Sequence, residues 1–310
     1  MVDRQSSLDE LATEAWNAAG ADLDLRTTAE LVELMNAEDS VVPGAVAEAR
    51  EAIAAAVDAI ASCLQRGGRL IYVGAGTSGR LAAVDAAECE STFSTPSGQV
   101  VALVAGGAEN SARAQEAAED DQAAGAAELD ACTVSERDAV VGVSASGRTP
   151  YVLGAVGAAR EAGALTAGVV NVHGSPLAEL VGHEIAVVVG AEVVAGSTRL
   201  KAGTAQKLIL NTISTVAMIR IGKTFGNLMV DVEPANEKLR ARARTAVAIA
   251  TAAPEDRVDA ALAAADGDPK VAIVSLLADV DAEAARSRLS AADGVVRKAV
   301  AGAADVVGRG

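Results

Sequence analysis

Five short runs of apolar, largely β-branched residues set the strongest limit on how this chain can fold. They are RLIYVGAG (69–76), QVVALVAGG (99–107), DAVVGVSASG (138–147), ALTAGVVNV (164–172) and HEIAVVVGA (183–191). None alternates apolar with polar residues, so each needs cover on both faces, as strands of a parallel sheet do. Between the runs the apolar spacing changes to that of helices, at 78–88, 108–127, 149–162 and 175–181. Strand and helix in turn predict an α/β fold: a doubly wound, five-stranded parallel sheet with flanking helices and right-handed crossovers.

Upstream, 27–66 reads as helix, capped at Thr27 or Thr28, with Leu31, Leu34 and Met35 on one face. Pro43 is expected to break it, so that a second helix runs from about Gly44 to Gln65 and stops at Gly67-Gly68. Downstream, 200–222 is a long helix apolar on several faces, which suits a buried core position and a subunit interface equally. Beyond Pro254, helical segments at 255–266, 269–278, 281–289 and 292–303 are punctuated by Gly and Asp. The expected division is therefore 1–250 for the α/β domain with its N-terminal helices and 251–310 for a small helical subdomain.

Charge and composition exclude several functions. Asp and Glu outnumber Lys and Arg by 42 to 26, a formal charge of −16, and only 2% of residues are aromatic. Such a chain repels a phosphate backbone and lacks rings for base stacking, so nucleic acid is not its partner. Cys63, Cys89 and Cys132 have neither disulfide nor zinc spacing and read as buried free thiols in a reducing compartment. Of the two histidines, His173 reads as a loop residue and His183 as structural, and no metal is expected. The acidic N-terminus lacks a signal-peptide core, and no apolar run reaches the roughly 18 residues of a membrane span. A cytoplasmic protein with no membrane partner is expected.

Ligands of open α/β sheets bind beyond the carboxyl ends of the strands, and two loops there stand out. The first is Gly74-Ala75-Gly76-Thr77-Ser78-Gly79-Arg80. It satisfies GxGxxG, but the acidic residue a dinucleotide needs after the second strand is replaced by Val104-Ala105-Gly106-Gly107. No cofactor is expected; Gly76, Thr77 and Ser78 are candidate substrate contacts. The second loop offers Ser144, Ser146, Gly147, Arg148 and Thr149 just before Pro150. With Thr149 as N-cap, these residues surround the positive end of a helix, which suits a phosphomonoester. The same residues also suit an ordinary strand-to-helix turn; two such loops at one sheet edge favour the ligand.

At these residues the chain resembles a known family. SASGRTPYVLGA (144–155) is similar to the phosphate-binding loop of sugar isomerase (SIS) domains. More specifically, 13–39, LIYVGAGTSGRLAAVDAAEC (70–89), GAEVVAGSTRLKAGTAQK (190–207), FGNLMVDVEPANEKL (225–239) and KVAIVSLLADVDAEAARSRL (270–289) resemble N-acetylmuramic acid 6-phosphate etherases. The resemblance implies a SIS-type sheet and a lyase of peptidoglycan recycling. Such a lyase cleaves a D-lactyl ether by elimination and water addition, with two glutamates as the acid–base pair. Residue by residue, those roles fall on Glu88, in Ala87-Glu88-Cys89, and on Glu119, within 116–120. Which glutamate serves which step stays open. Glu116 is expected on the solvated side.

The chain departs from the family at Glu90-Ser91, where two prolines are usual, and at Ala117, usually glycine. Taken alone, Glu88 would read as a solvated helix charge and Glu119 as part of an exposed helical face. The family resemblance also implies a homodimer. Two other readings are carried: a sugar-phosphate isomerase on the same fold, and a non-catalytic sugar-phosphate-binding regulator of the glucokinase regulatory protein type.

Overall fold

The computed structural model describes residues 13–107, 117–231 and 237–301. The chain falls into two compact units. One takes in the residues up to Ala87 and Gly98–Thr215; the other takes in Glu88–Ser97 and the residues from Val216 on.

The first unit opens with α1 (Thr28–Asp39), α2 (Val42–Glu48) and α3 (Arg50–Gln65). Thr27, not Thr28, caps α1: its hydroxyl accepts from the Glu30 amide, and the Glu30 carboxylate accepts from the Thr27 amide at 2.8 Å. The helix does stop ahead of Pro43, at Asp39, and Pro43 sits in the first turn of α2, where a missing N–H costs nothing; the second helix expected at 44–65 is divided at Ala49 into α2 and α3.

The sheet is the one the apolar runs predict. β1 (Leu70–Gly74), β2 (Val100–Val104), β3 (Ala139–Val143), β4 (Leu165–Val170) and β5 (His183–Ala186) are parallel, in the order β2-β1-β3-β4-β5. β1 and β3 are buried along their whole length, as continuous apolar strands require, whereas the centre of edge strand β2 is half-buried. β5 is shorter than its apolar run because pairing with β4 ends at Val170 opposite Ala186.

The connecting helices are α4 (Gly76–Phe93), α5 (Gln122–Ala131), α6 (Pro150–Glu161) and α7 (Pro176–Leu180), followed by α8 (Lys201–Arg220). Part of the helix expected at 108–127 lies outside the described residues. α5 and α6 meet backbone to backbone. A Cβ on Gly154 would stand 1.9 Å from the Gln122 carbonyl oxygen, and one on Gly125 would stand 2.0 Å from that of Tyr151. Only glycine fits at such a contact. α8 buries Ile209, Leu210 and Ile213 completely, so a core position accounts for its apolar faces. Cys63 and Cys89 are buried free thiols, but Cys132, at the C-terminal end of α5, is only half-buried.

In the second unit, a two-stranded hairpin of β6 (Thr224–Phe225) and β7 (Leu228–Met229) precedes α9 (Glu237–Thr251), α10 (Glu255–Ala264), α11 (Pro269–Ala278), α12 (Ala282–Ala291) and α13 (Val296–Ala301). Val230, Val247, Val258, Ile273, Val274 and Val296 form its core. Lys223 and Lys270 both pair with Asp231, at 2.8 and 2.9 Å. Among the described residues, no helix is long and apolar enough to cross a membrane.

At the amino end of the sheet, Asp138 clamps β1 to β3. It accepts from the Arg69 amide (2.9 Å), the Arg69 guanidinium (2.9 and 3.1 Å) and the Ser135 amide (2.9 Å). Burial pushes its carboxyl up, but the Arg69 and Ser135 hydrogen bonds outweigh burial and hold it at about 2, against an ordinary 3.8. A carboxyl lowered on folding contributes stability that is full above its unfolded value and lost as pH falls through its folded one. Stability should therefore decline as pH drops from about 4 towards 2. Asp138→Asn should lower stability at neutral pH and flatten that decline, as read by denaturant midpoints across the acid range.

Candidate active site at the carboxyl ends of β1 and β3

Strand order reverses between β1 and β3, because the chain leaves β1 for β2 on one side and β3 for β4 on the other. Diverging loops at such a point leave the crevice in which open α/β sheets bind ligands. A cavity of about 210 Å³ opens here, lined by Gly76, Thr77 and Ser78 from one loop and Ser144, Ser146 and Thr149 from the other.

The glycines of the first loop are explained by close packing. A Cβ on Gly74 would lie 2.7 Å from the Gly79 nitrogen, and one on Gly79 would lie 2.7 Å from the Gly74 oxygen. They let the first turn of α4 rest on the end of β1, a demand independent of any dinucleotide. The Gly79 amide makes the bond back to the Ala75 carbonyl (3.0 Å). Helix geometry leaves the amides ahead of it without partners inside the helix.

In the second loop, Gly147 has φ +62°, and a Cβ there would meet the Ser175 hydroxyl at 2.3 Å. Its amide donates to the Ser144 hydroxyl at 3.0 Å; the Ser144 and Thr149 hydroxyls lie 2.9 Å apart; the Thr149 hydroxyl donates to Glu119 Oε1 at 3.3 Å. Thr149 has one hydroxyl proton and gives it to Glu119, so Ser144 must donate to Thr149. Thr149 stands at the N-cap of α6, but no α6 amide donates to its hydroxyl, contrary to expectation. Ser146 accepts from the Arg148 amide at 3.2 Å, and among the described residues its own hydroxyl proton has no protein acceptor. Neither Gly147 nor Arg148 lines the cavity, although Arg148 Nε is buried without a partner among the described residues.

Of the two expected catalytic glutamates, Glu119 lines the cavity. Glu88 is exposed, about three turns along α4 from Gly76, and is not part of the lining. Glu116 lies outside the described residues. Thr13, Glu14 and Thr198 also line the cavity and carry no local sequence signal; they fall only within the stretches of family resemblance. The Thr13 hydroxyl is buried with no partner among the described residues, which leaves it free for a ligand. Among the described residues, no group of three or more His, Cys, Asp or Glu side chains is placed to hold a metal.

Fold and cavity together define a SIS-type α/β protein. Residues 52–160 match the family model described as the glucokinase regulatory protein N-terminal SIS domain. A phosphoheptose isomerase from Neisseria gonorrhoeae is similar over 62% of this chain and 98% of its own, at 21% identity and a TM-score of 0.47.

The sequence relatives are more specific. The N-acetylmuramic acid 6-phosphate etherase of Streptomyces coelicolor is 54% identical over 97% of both chains. That of Rubrobacter xylanophilus is 56% identical over 94% of this chain and 97% of its own. The chain belongs to the N-acetylmuramic acid 6-phosphate etherase family.

Ser146 has the uncommitted hydroxyl proton in its loop, and a hydrogen bond to a charged group is worth about 1.5–3 kcal/mol. Ser146→Ala should therefore raise KM for a phosphorylated sugar about tenfold or more, with thermal unfolding unchanged. An unaltered KM would remove this loop from the site.

Proposed function

We propose that this chain is a carbon–oxygen lyase that cleaves the D-lactyl ether of N-acetylmuramic acid 6-phosphate, yielding N-acetylglucosamine 6-phosphate and D-lactate. The observation that carries this reading is the 54% identity to a curated etherase across 97% of both chains. The phosphoryl group sits at the loop of Ser144, Ser146 and Thr149, where Ser146 has the uncommitted proton, and the sugar faces Gly76, Thr77 and Ser78.

The chemistry needs two carboxyl groups. Ring opening exposes an aldehyde at C1, which acidifies the C2 hydrogen. A carboxylate takes that proton, the C2 electrons form a C2=C3 double bond, and the C3–O bond breaks as a carboxylic acid protonates the departing lactate oxygen. Water then adds back, with hydroxide to C3 and a proton to C2. Such a pair works when its surroundings set the two carboxyls apart in acidity. Glu119 and Glu88 are the proposed pair.

Ten residues of α4 separate Ser78 from Glu88, about 15 Å at 1.5 Å per residue. A carboxyl that far along α4 from the first cavity loop suits a homodimer in which each chain lends Glu88 to the other's cavity. The enzyme is proposed to act in the cytoplasm, on a substrate derived from the cell wall.

Incubation with N-acetylmuramic acid 6-phosphate should release D-lactate. Binding without release would favour a regulator, and conversion without D-lactate an isomerase. Glu119→Gln and Glu88→Gln should each slow release about 10²–10⁴-fold while the protein stays folded. If the sites are shared, mixing Glu88→Gln and Ser146→Ala chains should restore activity after subunit exchange; a mixture as slow as its parents would mean that each site is built from one chain.

A further inference from the structure

Two glutamates line the cavity, Glu119 and Glu14, and the protein treats them differently. Glu119 accepts from the Thr149 hydroxyl at 3.3 Å, whereas among the described residues no hydrogen bond or ion pair holds the Glu14 carboxylate. Glu14 therefore offers acceptor positions that nothing in the described chain fills. Its place is nonetheless fixed. Three residues on, Asn17 Nδ2 donates to Glu38 Oε2 and to the Ala191 carbonyl, both at 3.2 Å, while Asn17 Oδ1 accepts from the Ala19 amide at 3.0 Å. Glu38 is paired in turn with Lys201, the first residue of α8. The turn at 17–20 lies so close to 191–193 that a Cβ on Gly20 would stand 2.5 Å from the Val193 carbonyl oxygen. Glu14 itself lies over Gly196, which has φ +73° and where a Cβ would come 3.0 Å from Glu14 Oε2. Glycine there serves twice: it takes a left-handed backbone, and it leaves room for the carboxylate.

The same turn shows which end of the cavity Glu14 serves. Two residues past Gly196, Thr198 is also in the lining. A Cβ on Gly203 in α8 would touch both the Thr198 carbonyl oxygen, at 3.5 Å, and Thr77 Cγ2, at 3.6 Å. The turn at 196–198 thus stands beside the loop after β1, the side that the sugar is proposed to face. Charge points the same way. The phosphoryl group and the lactyl carboxylate are anionic, and a carboxylate repels both. The remaining polar groups of an N-acetylhexosamine are ring hydroxyls and an acetamide N–H, which can donate to it.

We propose that Glu14 is a specificity-determining residue: its carboxylate accepts from a ring hydroxyl or the acetamide N–H of the sugar and takes no part in holding the phosphoryl group. Asn17 is a positioning residue, which pins the segment that carries Glu14, and Gly196 provides the space in which the carboxylate lies. The N-terminal segment is thereby a wall of the sugar site. This inference rests on the sugar-phosphate reading of the cavity.

The test compares binding of N-acetylglucosamine 6-phosphate with binding of inorganic phosphate, by calorimetric titration, in the wild-type protein, Glu14→Ala, Asn17→Ala and the double variant. Glu14 is exposed, so its truncation should leave thermal unfolding unchanged. Glu14→Ala should weaken the sugar phosphate about tenfold, and inorganic phosphate should bind as before or more tightly. Asn17→Ala should weaken the sugar phosphate when Glu14 is present and add no further loss when it is absent, because a positioning residue acts through the group it positions. If Asn17→Ala does not fold, Glu14→Ala decides alone. A sugar phosphate bound as well as before or more tightly by Glu14→Ala, or a loss shared equally by inorganic phosphate, would overturn the proposal; losses that add in the double variant would remove Asn17 from it. Failure of the wild-type protein to bind N-acetylglucosamine 6-phosphate would instead overturn the underlying reading of the cavity, and the assignment of Glu14 with it.

Discussion

β1 hydrogen-bonds to β2 on one side and to β3 on the other, in register from Leu70 to Gly74, and the cavity depends on that pairing. Because β1 and β3 are neighbours whose onward connections diverge, the loops beginning at Ala75 and Ser144 face each other across one crevice. The sheet is secured at its far end, where Asp138 holds the starts of both strands through Arg69. At the near end, glycines 74 and 79 bring α4 down onto β1, and Gly147 lets the second loop fold over Ser175.

Hydrogen-bond direction then decides what each hydroxyl can offer. Two chains of donors end on carbonyl or carboxyl acceptors. One runs from Ser78 through Gln206 and Asn171 to the Val187 carbonyl as a ladder of fixed amides. The other runs from the Gly147 amide through Ser144 and Thr149 to Glu119, so the proposed phosphate loop and the proposed catalytic glutamate share one relay. α8 brings Gln206 against Ser78, behind the cavity wall, and is itself held by Glu192. This buried carboxylate accepts from the Lys201 and Ala202 amides at 3.0 and 2.9 Å, a favourable place for negative charge.

The sheet was legible in the sequence because burial on both faces writes itself into consecutive residues, as at 70–74 and 139–143. Both cavity loops were legible because glycine and hydroxyl residues cluster where strands stop. Side-chain roles were less so. Thr149 has the sequence of an N-cap, yet no α6 amide donates to its hydroxyl, which instead bonds Glu119, thirty positions earlier in the chain, and no local pattern announces such a partner. Asn171 interrupts the end of an apolar run, but Gln206 stands beside Lys207 in α8, where nothing local announces a buried polar ladder. Thr13 and Glu14 reach the cavity from the N-terminal segment through tertiary folding alone. Glu88 and Glu119 came from family resemblance, since an exposed helical glutamate and one in an acidic stretch look like solvated charges.

A crystal structure of the Glu119→Gln variant with N-acetylmuramic acid 6-phosphate bound tests most directly whether these two loops hold the substrate. The phosphoryl group should lie against Ser146 in the cavity beyond β3, with the sugar extending towards the loop after β1 and residue 119 beside its C2–C3 bond. A phosphoryl group lodged outside this cavity would contradict it.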